Sequence, residues 1–556
     1  MSEIIVVDSE KCVGCNACIR SCPAPEANIT KILDDGRSVT TVNSERCIAC
    51  GECVRNCLHG ARDYIDDTEE AMSAIEKTEK LIILATPSIK TVFPKQWKNI
   101  LNWFRENGCM VFDVSFGADI CTWAHIRAIQ RGAVGNIITQ PCAAIVKYIE
   151  TYQPTLLKNL SPIHSPILCS AIYIKRYLRL PNKIAVLSPC VAKKNEFNET
   201  SFVEFNVTFQ KLMEYFKSKH IVIRTDQDDD LAYHFDGEQG QMGAIYPKPG
   251  GLRDNLWLHD PEINIVTSEG VHRVYPELDM YAKLNESKKP RVFDVLSCEF
   301  GCNVGAGARS QQTLFDIMQT MNDVEKEASG RRKIKGGFFR ASEDQIFKRF
   351  DDELMLEDFV RQYRELTPSY EPTLEELEPI FNSMGKHTES EKNYNCHACG
   401  YSSCKAMATA IYRGINFPDN CLVHAKSLLM SKKNSISGQD EKMAKLSSDV
   451  EKISRSLNEI IEANDSNDNR KNDVHELLTN VIEFCNSTET MDKESLTSLV
   501  EILEKTDDAF NELDKNIKNT SDNTSTINQY ISDIRQLVTE MNSVLNEDDV
   551  LEESLA

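Results

Sequence analysis

The chain has 556 residues, with 85 acidic side chains against 63 Lys and Arg and a formal net charge of −22. That balance argues against nucleic acid as a partner, and no apolar run reaches the length of a membrane span. Its 20 cysteines, in a sequence with no secretory leader and an acidic start, read as metal ligands of a soluble cytoplasmic protein and not as a disulfide framework. The length allows roughly three to four domains.

The first motif is a duplication. Cys12-x2-Cys15-x2-Cys18-x3-Cys22-Pro23 recurs as Cys47-x2-Cys50-x2-Cys53-x3-Cys57. This spacing is similar to that of the bacterial two-cluster ferredoxins, in which three close cysteines of each run hold one 4Fe-4S cubane and the fourth reaches the other. The resemblance gives Cys12, Cys15, Cys18 and Cys57 to one cluster and Cys47, Cys50, Cys53 and Cys22 to the second. Zinc is the competing metal, but a zinc site takes four ligands and does not call for doubled spacing. Residues 1–75 therefore read as a two-cluster 4Fe-4S ferredoxin-type domain that relays single electrons. Leu58 stands where a proline usually follows the last cysteine.

From 76 to 370 short apolar strands alternate with helical stretches, the pattern of a layered α/β domain. Leu81 to Ala85 reads as a strand running into the turn Thr86-Pro87-Ser88. Val111 to Val114 leads to Phe116-Gly117-Ala118-Asp119, and an amphipathic helix is expected from about Ile120 to Ala133. Three loops then carry chemistry, each after an apolar segment. They are Thr139-Gln140-Pro141-Cys142 after Val134 to Ile138, Ser188-Pro189-Cys190-Val191-Ala192-Lys193-Lys194 after Ile184 to Leu187, and Ser297-Cys298-Glu299-Phe300-Gly301-Cys302 after Val292 to Leu296. Open α/β sheets place ligands at the carboxyl ends of strands, and four thiolates suffice for one iron-sulfur cluster. The lysines beside Cys190 favour its thiolate form. A single cysteine at a strand end is more often a small buried hydrophobe, so the inference rests on the three loops together.

At these loops the chain resembles the FeFe-hydrogenases, whose signature loops have the forms T-S-C-C-P, M-P-C-x-A-K-K and M-x-C-P-G-G-C. The resemblance implies an H-cluster, a 4Fe-4S cubane bridged by cysteine to a diiron unit that carries carbonyl, cyanide and a dithiolate. Carried over by position, Cys142, Cys190, Cys298 and Cys302 would hold the cubane, Cys302 would bridge to the diiron unit, and Lys193 would be the cyanide partner. The departures concern protons. Enzymes of the family move protons through a cysteine beside the first ligand, a serine in S-P-x-x-M, and glutamates shortly after G-A-D. Pro141 replaces that cysteine and has no proton to give, and Ala124 and His125 stand where the acidic pair would be. Ser165 is kept in Ser165-Pro166-Ile167-Leu168-Cys169, with Cys169 in place of methionine, and Ser188 and Leu296 replace two further methionines. Breaking one link of such a relay costs about 10²–10⁴ in rate. The candidate catalytic residues are Ser165, Cys169, Lys193 and Cys302. His125 and Cys169 offer a replacement relay; in the other reading His125 lies on an amphipathic helix and Cys169 in the core. Pro249-Gly250-Gly251 reads as a tight turn, and Cys109 and Cys121 as buried.

Further along, Cys396-x2-Cys399-Gly400-x3-Cys404, an alanine-rich helix over 406–414 and then Cys421 resemble a small 4Fe-4S domain, here 371–430, with a zinc knuckle as the alternative. Residues 431–556 read as a helical tail. Met443, Leu446, Val450, Ile453, Leu457 and Ile460 alternate spacings of three and four, the seam of a coiled coil. Ala463 to Asp473 reads as a polar linker, and a second seam runs from Phe510 to Leu545. The likeness to the signalling region of chemotaxis receptors is faint, since their E-A-A-R-A-G-E tip is absent, and a plain dimerisation helix stands beside it.

The expected fold class is thus multidomain α+β and α/β: a two-cluster ferredoxin fold, an FeFe-hydrogenase-like α/β domain, a small helical 4Fe-4S domain and a C-terminal coiled coil. The combination resembles the divergent, sensory FeFe-hydrogenases. That resemblance implies a dihydrogen or redox sensor of low turnover that relays electrons through 4Fe-4S clusters to the tail. Its partners would be dihydrogen, a redox protein such as ferredoxin, and a signalling protein or second copy met through the coiled coil, with neither nucleic acid nor membrane. A catalytic ferredoxin-dependent hydrogenase and a non-enzymatic iron-sulfur relay or assembly protein that lacks the diiron unit stay open.

Overall fold

The computed structural model describes residues 3–225, 233–309, 312–334, 344–366, 369–463, 468–487 and 497–508, with positions 529, 532, 533 and 536. Two units divide it, Met1–Cys421 and Leu422–Ala556. In the first unit β1 (Ile5–Val7) pairs antiparallel with β4 (Arg62–Tyr64), and β2 (Asn28–Ile32) with β3 (Ser38–Val42). The cysteine runs occupy the segments between these strands, each with a one-turn helix, Ala17–Arg20 and Glu52–Arg55.

Ile82-Ile83-Leu84-Ala85 is wholly apolar and wholly buried, as a strand covered on both faces must be. This strand, β5 (Ile82–Ala85), lies between β6 (Met110–Asp113) and β8 (Ile184–Ser188), with β9 (Phe205–Thr208) at the edge, and all four run parallel. A second parallel sheet has the order β10 (Ile265–Glu269), β11 (Val292–Leu296), β7 (Ile137–Ile138). Parallel neighbours need crossovers, which the intervening helices supply. Tyr64 Oη lies 2.9 Å from Thr208 Oγ1 and Asp66 accepts from Thr208 N at 2.8 Å, so the N-terminal module is fastened to the edge of the first sheet.

Two expectations are corrected. The apolar run Val134 to Ile138 yields only the two-residue strand Ile137–Ile138. Val114 leaves the strand and opens a helix that spans Val114–Gln130, six residues ahead of the expected start at Ile120. The cause is Asp113, whose side chain accepts from Ser115 N at 2.8 Å and caps the helix. This helix is buried on nearly every side and is not amphipathic, because other elements cover it all round. Trp123 meets Phe350 and Phe359 edge-on, and Asp119 accepts from Gln241 N at 2.6 Å and Gly243 N at 2.7 Å. The Asp119 bonds tie the helix to the short turn Met242–Ile245. Pro249-Gly250-Gly251 is the entrance to the helix Gly251–His259, with Gly250 in the left-handed region.

The small cysteine domain holds the helix Cys404–Tyr412, close to the expected one. In the second unit one helix, Leu422–Ala463, begins ahead of the expected boundary at 431 and carries the whole first seam. Leu446 and Val450 of that seam are buried, and the helix packs on Asp468–Ser487, whose Leu478 and Val481 are buried too. Part of the seam is therefore covered within this chain. The expected linker Ala463 to Asp473 is corrected as well, since helix resumes at Asp468. The second seam, Phe510 to Leu545, lies almost wholly outside the described residues. No described helix is long and apolar enough to cross a membrane.

Burial raises the Asp119 carboxyl from 3.8 to about 6. Through that window the folded chain keeps a proton that the unfolded chain has released, so this group's contribution is present at low pH and lost as pH rises. Asp119→Asn should flatten the decline of the urea midpoint between about pH 4 and about pH 7.

Candidate metal centre

The three ligand loops leave β7, β8 and β11 at their carboxyl ends and meet around one cavity of about 100 Å³. Cys142, Cys190, Cys298 and Cys302 all line it, together with Thr86, Pro87 and Ser88 after β5 and Val114 and Ala118 after β6. Five strand ends from two sheets thus build one pocket, as expected at a switch point of parallel strands. Cys298 faces Cys142, Cys190 and Cys302, and Cys302 faces Cys142 and Cys190. Burial pushes the Cys190 thiol up to about 11 and Cys302 to about 12, and raises Cys298 well above the ordinary range. Lys193 opposes the shift at Cys190 and Cys302, and Arg55 at Cys298.

These sulfurs stay protonated unless a cation replaces the protons, so binding here is coupled to proton release. Among the described residues no three His, Cys, Asp or Glu side chains close on a single metal ion. Four thiols spread round a cavity suit a cluster with one iron for each sulfur.

Pro141, Ser188 and Leu296 line the same cavity, where the family has a cysteine and two methionines. Lys193 lines it too, and its ammonium is paired with Glu196. Glu196 also accepts from Ser165 Oγ at 3.1 Å and Arg361 Nη1 at 3.2 Å. Two of the candidate catalytic residues, Lys193 and Ser165, therefore converge on one buried carboxylate. Sequence reasoning passed over Glu196, although its i, i+3 spacing from Lys193 on a helix was a readable signal.

His125 and Cys169 are 1% and 0% exposed, and Cys121, read only as buried, lies between them. Tyr246, which lines the cavity, faces Cys121 as well. No sequence signal marked Tyr246.

The N-terminal thiols lie close together, and the spacing divides them into two groups. Cys22 and Cys50 face Cys47 and Cys53, and Cys18 faces Cys53 of the other group as well as Cys12 and Cys15. Cys57 Sγ accepts from Ala61 N at 3.3 Å; its place in the first group rests on the spacing. Buried Arg62 reaches both groups: it bonds Cys53 and lies beside Cys18 and Cys22. In the distal module Cys399 faces Cys396, Cys404 and Cys421.

Close backbone approaches join these groups. Gly51, at φ 76° beside Cys50, would put a Cβ 2.3 Å from that of Ala306, so the second cysteine run lies against the loop after Cys302. Gly400, at φ 95°, would put one 2.9 Å from Ile19 Cβ, so the distal loop lies against the first run. A tyrosine stands at each junction. Tyr275 faces Cys50, Cys142 and Cys298 and donates to Ser297 Oγ at 2.9 Å. Tyr401 faces Cys399, Cys22 and Cys18.

Comparison with known proteins agrees with this geometry. Residues 79–274 match the family described as "Iron only hydrogenase large subunit, C-terminal domain". The central domain belongs to the iron-only hydrogenase family. The matched span holds Cys142 and Cys190 and ends before Cys298 and Cys302. Residues 4–58 match "4Fe-4S dicluster domain", and 393–423 match "Putative Fe-S cluster". Solved structures that resemble the chain include an FeFe-hydrogenase studied for oxygen inactivation of its H cluster, at 14% identity and TM-score 0.40, covering 54% of this chain and 99% of that one. A variant of HydA1 from Chlamydomonas reinhardtii matches at 13% identity and TM-score 0.39, over 54% of this chain and 99% of its own. No curated protein matches. The cofactors of the matched families are 4Fe-4S clusters and, for the hydrogenase domain, the H-cluster with its diiron unit. The converging buried thiols fit them.

Replacing Arg62 by Met removes a buried cation shared by both N-terminal groups. Both clusters should then have lower reduction potentials, read by paramagnetic resonance in a redox titration. Unchanged potentials would show that the guanidinium does not act on them.

Proposed function

We propose that the chain is a dihydrogen or redox sensor built on a hydrogenase domain, with slow turnover. Cys142, Cys190, Cys298 and Cys302 would hold the cubane of the H-cluster, and Cys302 would also hold the diiron unit. Cys12, Cys15, Cys18 and Cys57 hold one N-terminal cluster, Cys47, Cys50, Cys53 and Cys22 the other, and Cys396, Cys399, Cys404 and Cys421 the distal one. When bound, the diiron unit supplies the chemistry of dihydrogen cleavage and formation, and the cubanes store single electrons.

The observation that carries the reading is the line of cysteine groups leading away from the pocket. Tyr275 stands between the pocket and the second run, and Tyr401 between the first run and the distal module. The distal module ends at Cys421, and the long helix starts at the next residue, Leu422. Electrons brought along this line change the charge at the base of that helix, and a signalling partner or a second copy reads the change if it binds the two charge states unequally. The pocket wall supports low turnover, since Pro141 lines it and offers no proton. Lys193, held by Glu196, presents a fixed cation to the pocket for an anionic group of the cofactor. A cytoplasmic setting with a ferredoxin-type donor suits these roles.

The link from Ser165 to Glu196 favours a second reading, a working ferredoxin-dependent hydrogenase, because one serine-to-carboxylate step is retained. Infrared spectra of matured protein decide first. Carbonyl and cyanide bands that shift with dihydrogen are expected, and their absence would leave an iron-sulfur relay or assembly protein. Pro141→Cys should then raise dihydrogen turnover by about 10²–10⁴, measured by film voltammetry. Fast turnover in the parent, unchanged by the substitution, would favour the enzyme.

A further inference from the structure

A network of amide side chains joins the first cysteine run to the distal module and has no part in the function above. Asn16 stands between Cys15 and Cys18 and begins the one-turn helix Ala17–Arg20, with its backbone in the left-handed region that asparagine tolerates. Asparagine is a favoured helix cap, yet this side chain makes no bond to its own helix. Its Nδ2 instead donates across the junction to Asn420 Oδ1 at 2.6 Å, and Asn420 is the residue before Cys421. Asn420 Nδ2 donates onward to Asn416 Oδ1 at 3.0 Å. Asn416 Nδ2 in turn lies 3.4 Å from Tyr401 Oη.

Around this network the junction is apolar. Ile19, on the helix that Asn16 begins, is buried in the core of the distal module with Tyr401, Met407 and Cys421, and Cys18 packs against the same core. Apolar contact has no direction and leaves a short helix free to slide, whereas a buried amide pair is satisfied in one register only. Other bonds already fasten the module: Thr30 N donates to Ile415 O at 2.9 Å, and Arg413 pairs with Glu26 at 2.6 Å. What the amide pair adds is the register of two ligand loops. Tyr401 faces Cys22 as well as Cys18, so the aromatic contact does not choose between the two N-terminal clusters. The amide pair, set between Cys15 and Cys18, does.

We propose that Asn16 and Asn420 are positioning residues that couple the cluster on Cys12, Cys15, Cys18 and Cys57 to the distal cluster, making the first-run cluster the redox neighbour of the distal module. This rests on the reading of the distal module as a 4Fe-4S site. The step served is the passage of one electron: the first-run cluster is oxidised as the distal cluster is reduced, and no bond forms or breaks. The second run is the one that lies against the pocket, where Gly51 meets Ala306. Electrons therefore pass from the pocket to the second run, then to the first, then across the amide junction. Transfer of this kind weakens steeply with separation, so the register of the two ligand loops sets its rate.

The test needs no diiron unit. Full-length protein carrying its 4Fe-4S clusters alone is fully reduced, and paramagnetic resonance at two microwave frequencies reads the splitting between cluster spins. Cys399→Ala with Cys421→Ala removes the distal cluster and marks the splitting that belongs to it. Asn420→Leu should lose that splitting with its iron content unchanged. Asn420→Asp should keep it, because the carboxylate still accepts from Asn16 Nδ2, and Asn16→Asp should keep it, because Asn420 Nδ2 can donate there. Aspartate also tolerates the left-handed backbone at position 16. The two Asp substitutions together should lose it, since two acceptors then face each other. This series decides even where Asn420→Leu does not fold. Splitting that survives in the double variant would overturn the proposal, as would its loss in either single Asp variant or a wild-type spectrum unchanged by removal of the distal cluster. Zinc in place of iron in the distal module would sink the cluster reading itself, and metal analysis separates that outcome from iron clusters that do not couple.

Discussion

Sulfur buried as thiolate has to be matched by positive charge, and this requirement organises the first unit. Left to themselves, Cys190, Cys298 and Cys302 keep their protons, because burial raises all three thiols. Iron supplies most of the missing charge, and fixed cations supply the rest. Lys193 stands at the pocket and Arg62 between the two N-terminal groups. Cluster loading is thereby linked to folding, since the loops that carry the ligands close around it.

The same sulfurs dictate how the modules touch. Electron transfer wants short distances between clusters, and glycines at the two junctions allow the backbones to come close. A side chain at Gly51 would strike Ala306, and one at Gly400 would strike Ile19. Buried tyrosines, Tyr275 and Tyr401, fill the same junctions.

One cysteine group follows another from the pocket to the distal module. Pro141 at the pocket wall offers no proton, and Ser165, Lys193 and Arg361 beside it converge on Glu196.

Much of this was legible in the sequence because ligand chemistry is local. The doubled ferredoxin spacing, the three cysteine loops and the distal run each declare themselves within a few residues, and the runs at Ile82, Ile184 and Val292 have the composition of buried parallel strands. The start of the helix at Val114 turned on one capping carboxylate, Asp113, and its burial on all sides came from elements distant in the chain, so periodicity misjudged it. Glu196, Cys121 and Tyr246 carry no motif. They acquire their partners only because folding brings Ser165 and Arg361 to the first, and His125, Cys169 and the pocket wall to the others. The expected ligands were read from residue type and spacing; which side chains stand beside them was decided by tertiary packing, because hydrogen bonds act across space between residues the chain keeps far apart.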